Sequence, residues 1–87
     1  MLTSTPVRIH LLYFASFRDA ARRDEEFREI PEGTKVSELW SSLSREVRAF
    51  AAFPAMPPAA VNREYVQGET MLRDGDEVTF LPPVAGG

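Results

Sequence analysis

A chain of 87 residues without a single cysteine has neither disulfides nor thiolate–metal staples to hold it together. One hydrophobic core must do that work, and at this length there is room for only one. The apolar residues therefore have to fall into patterns that bury together, and two patterns are clear. From Val7 to Phe14, Val7, Ile9, Leu11 and Tyr13 alternate with Arg8, His10 and Leu12, the period of a half-buried strand. From Val36 to Val47, Val36, Leu39, Trp40, Leu43 and Val47 recur three and four apart, the apolar stripe of a helix. Thr34 is the expected N-cap of this helix, and Glu38 in its first turn suits the helix dipole.

The remaining segments fit around these two. Ala15 to Arg23, rich in alanine and arginine, reads as a short helix. Glu25 to Ile30 reads as a more polar strand near a sheet edge, closed by a turn at Pro31-Glu32-Gly33. Phe50 to Pro58, with three prolines, reads as a loop of apolar content. Ala59 to Asn62 and Glu64 to Gln67 read as short strands, Asp74-Gly75-Asp76 as a tight turn, and Glu77 to Leu81 as a last strand. Strand and helix segments mixed in this order predict an α+β domain, a mixed sheet with helices packed on one face, over residues 1–81. Residues 82–87 are expected to form a flexible tail stiffened at its exit by Pro82-Pro83.

That tail carries the functional signal. It reads Pro82-Pro83-Val84-Ala85-Gly86-Gly87. Without Cβ atoms, the last two residues can pass through a channel too narrow for any others. A Gly-Gly ending arises by chance in roughly one chain in two hundred. No side chain from Val78 to Gly87 ionises, so a terminal carboxylate at Gly87 is the only charge the tail brings into a partner's pocket. The six residues span at most about 20 Å when extended, enough to enter a neighbouring protein while the domain stays docked outside.

The formal net charge of −3 and the absence of a basic run argue against a nucleic-acid surface. Lys35 is the single lysine. There is no apolar run of membrane-spanning length, and the first five residues are neither basic nor followed by a cleavable apolar segment, so a cytoplasmic protein is expected. Other chemical candidates are weak. His10 is the sole histidine, without cysteine or a second histidine to share a metal, and is expected to be structural or exposed. Gly33-Thr34-Lys35 lacks the glycine spacing and residue order of a phosphate loop and fits a turn into a helix. Asp74-Gly75-Asp76-Glu77 lacks the spaced ligands of a calcium loop. No Ser/His/acid or paired-carboxylate signature is present, so catalysis is expected to reside on a partner.

Three stretches together resemble the molybdopterin synthase small subunit family. They are Leu11-Leu12-Tyr13-Phe14-Ala15-Ser16-Phe17-Arg18, then Ala60-Val61-Asn62, then Asp74-Gly75-Asp76-Glu77-Val78 followed by Phe80-Leu81 and the diglycine tail. The diglycine alone would equally fit thiamine-pathway sulfur carriers and other ubiquitin-like modifiers. The resemblance implies a β-grasp, ubiquitin-like fold and a sulfur carrier without bound cofactor. It implies that an activating enzyme adenylates Gly87 with ATP, and that a sulfur donor converts the acyl-adenylate to a thiocarboxylate. It further implies a large catalytic subunit, two of each subunit forming a heterotetramer, in which the sulfur passes to cyclic pyranopterin monophosphate. Phe14 and Leu81 match family positions that face the large subunit, Arg18 matches an arginine of the family motif that either pairs with a partner carboxylate or is a solvated surface arginine, and Pro82, Pro83, Val84, Ala85 and Gly86 match the inserted tail. Core packing is the competing role for Phe14, Phe17 and Leu81 and the expected one for Phe80. Two alternative classes remain open: a modifier conjugated to lysines through Gly87, and an interaction module with an incidental diglycine.

Overall fold

The computed structural model describes residues 5–53 and 55–82. Among the described residues five strands form one mixed sheet: β1 (Val7–Leu12), β2 (Glu25–Ile30), β3 (Ala59–Val61), β4 (Glu64–Val66) and β5 (Glu77–Phe80). Their order across the sheet is β2-β1-β5-β3-β4. β1 pairs antiparallel with β2 and parallel with β5, and β3 pairs antiparallel with both β5 and β4. The described residues also form three helices, α1 (Ala15–Ala21), α2 (Val36–Glu46) and α3 (Arg48–Ala51). A parallel central pair cannot be joined by a hairpin, so the chain leaves β1, makes β2 and α2, and returns through β3 and β4 before closing on β1. This is the β-grasp fold, with α2 held in the curve of the sheet.

The two expected patterns meet in the core. Val7, Ile9 and Leu11 from β1, Val78 and Phe80 from β5, and Val36, Leu39, Trp40 and Leu43 from α2 are all buried. Phe17 and Phe50 join them, and the aromatic rings interlock. Trp40 stacks on Phe50 at 5.1 Å between centroids and lies 5.0 Å from Phe80, while Phe17 lies 4.9 Å from Phe50. Such pairs add stabilisation beyond the area they bury.

Several local expectations are corrected. β1 stops at Leu12, not Phe14, because Phe14 becomes the N-cap of α1 and Ala15 turns the chain at φ 49°, while the Tyr13 N–H still donates to the Asp24 carbonyl (2.8 Å). α1 ends at Ala21 because Arg22 takes a left-handed φ of 63°. The N-cap of α2 is Lys35: Glu38 reaches back to accept its N–H (2.8 Å), and the Thr34 hydroxyl instead donates to the Pro31 carbonyl (2.6 Å), closing the preceding turn. The segment after Val47 contains helix α3, which inserts Phe50 into the core. β3, β4 and β5 each end one residue earlier than their patterns suggested.

Asn62 and Arg63 join β3 to β4, both with positive φ (53° and 72°), as a two-residue hairpin turn with matching twist requires. Asn62 also fastens this turn to β5. Its N–H donates to the Glu77 carbonyl (2.8 Å), its Nδ2 donates to Asp76 (2.9 Å), and its Oδ1 accepts from the Glu77 N–H (3.0 Å). The Ala60-Val61-Asn62 stretch is thus accounted for structurally, as a clamp on the strand that leads to the tail.

Candidate functional site at the tail-exit end of the sheet

The parallel pairing of β1 and β5 fixes the geometry. Leu12 lies opposite Thr79, and Phe14 and Leu81 each follow two residues later in the same direction. Both therefore emerge at one end of the sheet, from adjacent strands. Phe14 is 51% exposed. Ala15, at φ 49°, turns the chain directly after it. Leu81 is half-buried, and its N–H donates to the Pro58 carbonyl (2.8 Å), which holds the chain on the sheet to its last described steps. Pro82 is half-buried beside it. Pro83, Val84, Ala85, Gly86 and Gly87 lie outside the described residues.

Arg18 belongs to the same end. It stands one helical turn beyond Phe14, its N–H donating to the Phe14 carbonyl (3.2 Å), and its guanidinium lies 3.8 Å from Asp24. An exposed pair at that distance is weak, so the side chain can be recruited by a partner carboxylate. Phe17 and Phe80 face inward and are core residues.

One residue that sequence reasoning passed over belongs on the face of the sheet opposite the helices. Tyr65 is 76% exposed and lies opposite Ala60, which lies opposite Thr79, which lies opposite Leu12. Those four side chains form a transverse row just below Phe14 and Leu81, with small residues in the middle and an aromatic at its edge. The signal was available: in β4 the inward residue is Val66, so period-two alternation points Tyr65 outward. His10 lies further down the same face, stacked on Phe27 at 4.4 Å and hydrogen-bonded to Glu25. Arg8 covers the Phe27 ring at 4.8 Å. His10 is thus held between Phe27 and Glu25, and Phe27 is occupied by its neighbours despite its exposure.

The rest of the surface offers no competing chemical centre among the described residues. No group of three or more histidine, aspartate or glutamate side chains is placed to hold a metal. A groove of about 560 Å³ runs between Ile30–Thr34 and α2, but it lies at the far end of the sheet from Phe14 and Leu81. Among the described residues no helix is long and apolar enough to cross a membrane.

The site is thus an apolar patch, Phe14 with Leu81 and Pro82, flanked by Arg18 at one end of a β-grasp sheet. A model of the ThiS family matches residues 11–87. The chain belongs to the ThiS family. It is 35% identical to the molybdopterin synthase sulfur carrier subunit of Chlamydomonas reinhardtii, over 93% of this chain and 100% of that one. Among solved structures, a Pyrococcus furiosus protein described as molybdopterin converting factor subunit 1 superposes with a TM-score of 0.80 at 36% identity, covering 90% of this chain and 99% of that one. A Helicobacter pylori protein–protein complex of subunits 1 and 2 of molybdopterin-converting factor gives a TM-score of 0.61 at 22% identity, covering 93% of this chain and 100% of the matched one, a likeness in fold. The β-grasp architecture expected for a ThiS-family member is therefore the one observed.

Proposed function

We propose that this chain is the sulfur carrier subunit of a molybdopterin synthase. The observation that carries the reading is kinship at 35% identity across the full length of a relative of that name, joined to the placement of Phe14 and Leu81 beside the departing tail.

The chemistry follows from the terminus. A carboxylate is a poor electrophile because its leaving group would be oxide. An activating enzyme would join the Gly87 carboxylate to AMP at the expense of ATP, giving a mixed anhydride with a good leaving group. Attack on the carbonyl carbon expels AMP: sulfide gives the thiocarboxylate directly, whereas a donor's persulfide gives an acyl disulfide, whose S–S bond a second thiol then cleaves to release the thiocarboxylate and leave the donor as a disulfide. That sulfur is a soft nucleophile which stays bonded to the carrier until the tail enters the large subunit. There it would pass to cyclic pyranopterin monophosphate, two transfers completing the dithiolene. The catalytic groups would belong to the large subunit, and no resident cofactor is required of this chain. Two carriers and two large subunits would form the working assembly, in the cytoplasm.

Phe14, Leu81 and Tyr65 would bury their apolar area against the large subunit, Arg18 would meet a carboxylate at its rim, and Pro82 through Gly86 would occupy the large subunit's channel. A desolvated aromatic at the centre of such a contact contributes disproportionately to binding. The test is reconstitution with purified large subunit. The thiocarboxylated chain should convert cyclic pyranopterin monophosphate to molybdopterin, and the chain lacking Gly87 should not. Equal turnover by both would reject the proposal.

A further inference from the structure

The tail-exit end of the domain carries a second feature that apolar docking does not use. A groove of about 380 Å³ opens between the end of α1 and the start of α3, its polar lining made by Tyr13, Arg22, Arg23, Glu26, Glu46 and Arg48. Its two carboxylates are already held. Arg28 binds Glu46 through two contacts of 2.7 and 2.8 Å and Glu26 through contacts of 3.0 and 3.1 Å, and the Tyr13 hydroxyl donates to Glu26 (2.9 Å). Arg23 keeps only a 3.5 Å contact with Glu26, and Asp24 next to it is turned to Arg18. Among the described residues, neither Arg22 nor Arg48 has an ion-pair partner.

The chain as a whole is acidic, so local positive excess must be offset elsewhere. Glu29, Glu32, Asp74 and Asp76 crowd the opposite end of the sheet: Glu29 pairs with Arg8 near the start of β1, Glu32 follows the end of β2, and Asp74 accepts the Arg8 N–H. α1 and the first residue of β2 sit instead at the tail-exit end, since Glu25 lies opposite Leu12. The groove therefore shares the end of the domain at which Phe14 and Leu81 emerge, on the helix side of the sheet.

We propose that this groove docks an acidic segment of the protein that takes up the tail, with Arg22, Arg23 and Arg48 as its carboxylate-binding groups. The identity of that protein rests on the sulfur-carrier reading; the groove's preference for carboxylates does not. Guanidinium groups are weakly hydrated and bind carboxylates through paired N–H donors, which suits an exposed groove better than point charges would. An extended acidic segment can reach all three arginines, and an open groove admits one. Like other contacts at a charged rim, it would speed encounter and orient the domain so that the tail meets its channel.

Two readouts separate the groove from the sulfur-carrier reading. In the first, the isotope-labelled wild-type chain is titrated with hexaglutamate and followed by NMR. Shifts should centre on Arg22, Arg23, Arg48 and Ala49 and vanish in the Arg22→Glu/Arg48→Glu variant. Absent shifts, or shifts spread equally to Arg63 and Arg73, overturn the site. In the second, binding to purified large subunit is compared at about 20 mM and about 500 mM salt, where screening lengths differ several-fold. The double reversal should bind at least tenfold more weakly than wild type at low salt, with the gap closing at high salt. Arg45→Glu, outside the groove, should match wild type. Equal low-salt binding by the double reversal overturns the assignment of the occupant. A wild-type chain that ignores the large subunit altogether would count against the sulfur-carrier reading, and the hexaglutamate titration would still decide the groove.

Discussion

Arg28 of β2 grips Glu46, the last residue of α2, through both guanidinium nitrogens Nη1 and Nη2, at 2.8 and 2.7 Å. The pair ties the edge strand to the helix that fills the sheet. Through Glu26 the tie reaches the Tyr13 hydroxyl, whose ionisation is pushed well above the usual phenol range, first by burial and then by that hydrogen bond. The Arg28 hydrogen bonds hold the Glu46 carboxyl below its ordinary value of 4.5.

A depressed carboxyl stabilises the folded state above its unfolded pKa and loses that contribution as pH falls through the folded value. Stability from this pair should therefore be complete near neutrality and decline below about pH 4.5. Because Glu46 is half exposed, its share is about 0.5–1 kcal/mol. Glu46→Gln should lower the neutral-pH melting temperature by a few degrees and flatten the acid limb of the stability curve. An unchanged acid limb would remove this pair from the account.

Trp40 touches Phe17, Phe50, Phe53 and Phe80 at the centre of the core. Trp40→Ala should cost about 3–5 kcal/mol, as a large-to-small change that leaves a cavity. Urea denaturation would measure it, and a loss below about 1 kcal/mol would place the ring outside the cooperative core.

Asn62 satisfies two polar groups of the Asp76–Glu77 segment while holding a left-handed φ that asparagine tolerates well. Asn62→Ala removes both bonds and keeps the strained dihedral, for an expected loss of about 1–3 kcal/mol. Arg63→Gly, which only relieves strain at φ 72°, should be neutral or stabilising by up to about 1 kcal/mol. A destabilised Arg63→Gly variant would indicate that the Arg63 side chain, 3.8 Å from Glu77, matters more than its backbone.

Docking should separate from folding at the exposed apolar positions. Phe14→Glu and Tyr65→Glu place a charge where the large subunit would be apolar, and each should weaken binding by tenfold or more. Both side chains are exposed, so melting temperatures should move by no more than about 2 °C. Wild-type affinity in a folded Tyr65→Glu chain would restrict the contact to the Phe14–Leu81 end.

Much of this was legible in the residues. β1 and α2 announce themselves because each buries one face, and burial imposes a period. The edge position of β2 followed from its glutamates, which need solvent on one side. α3 was hidden because a four-residue helix has too few positions to show a period, and the prolines that follow it in the sequence, Pro54, Pro57 and Pro58, point to a loop. The α2 cap was misplaced by one residue because the deciding bond comes from the Glu38 side chain reaching backward, while Thr34 serves the turn before it. Tyr65 was missed for a different reason. Its neighbours Ala60, Thr79 and Leu12 come from three other chain segments, and only the strand order brings them into one row.

The central claim is that Gly87 carries sulfur, and intact mass reads this directly. The full chain is incubated with its activating enzyme, ATP and a sulfur source, then weighed without reduction or digestion. The predicted result is a single product heavier by the difference between sulfur and oxygen, located on the C-terminal peptide and absent when Gly87 is deleted. An unchanged mass, or a product in which Gly87 is joined to lysines of other proteins with no thiocarboxylate intermediate, would contradict it.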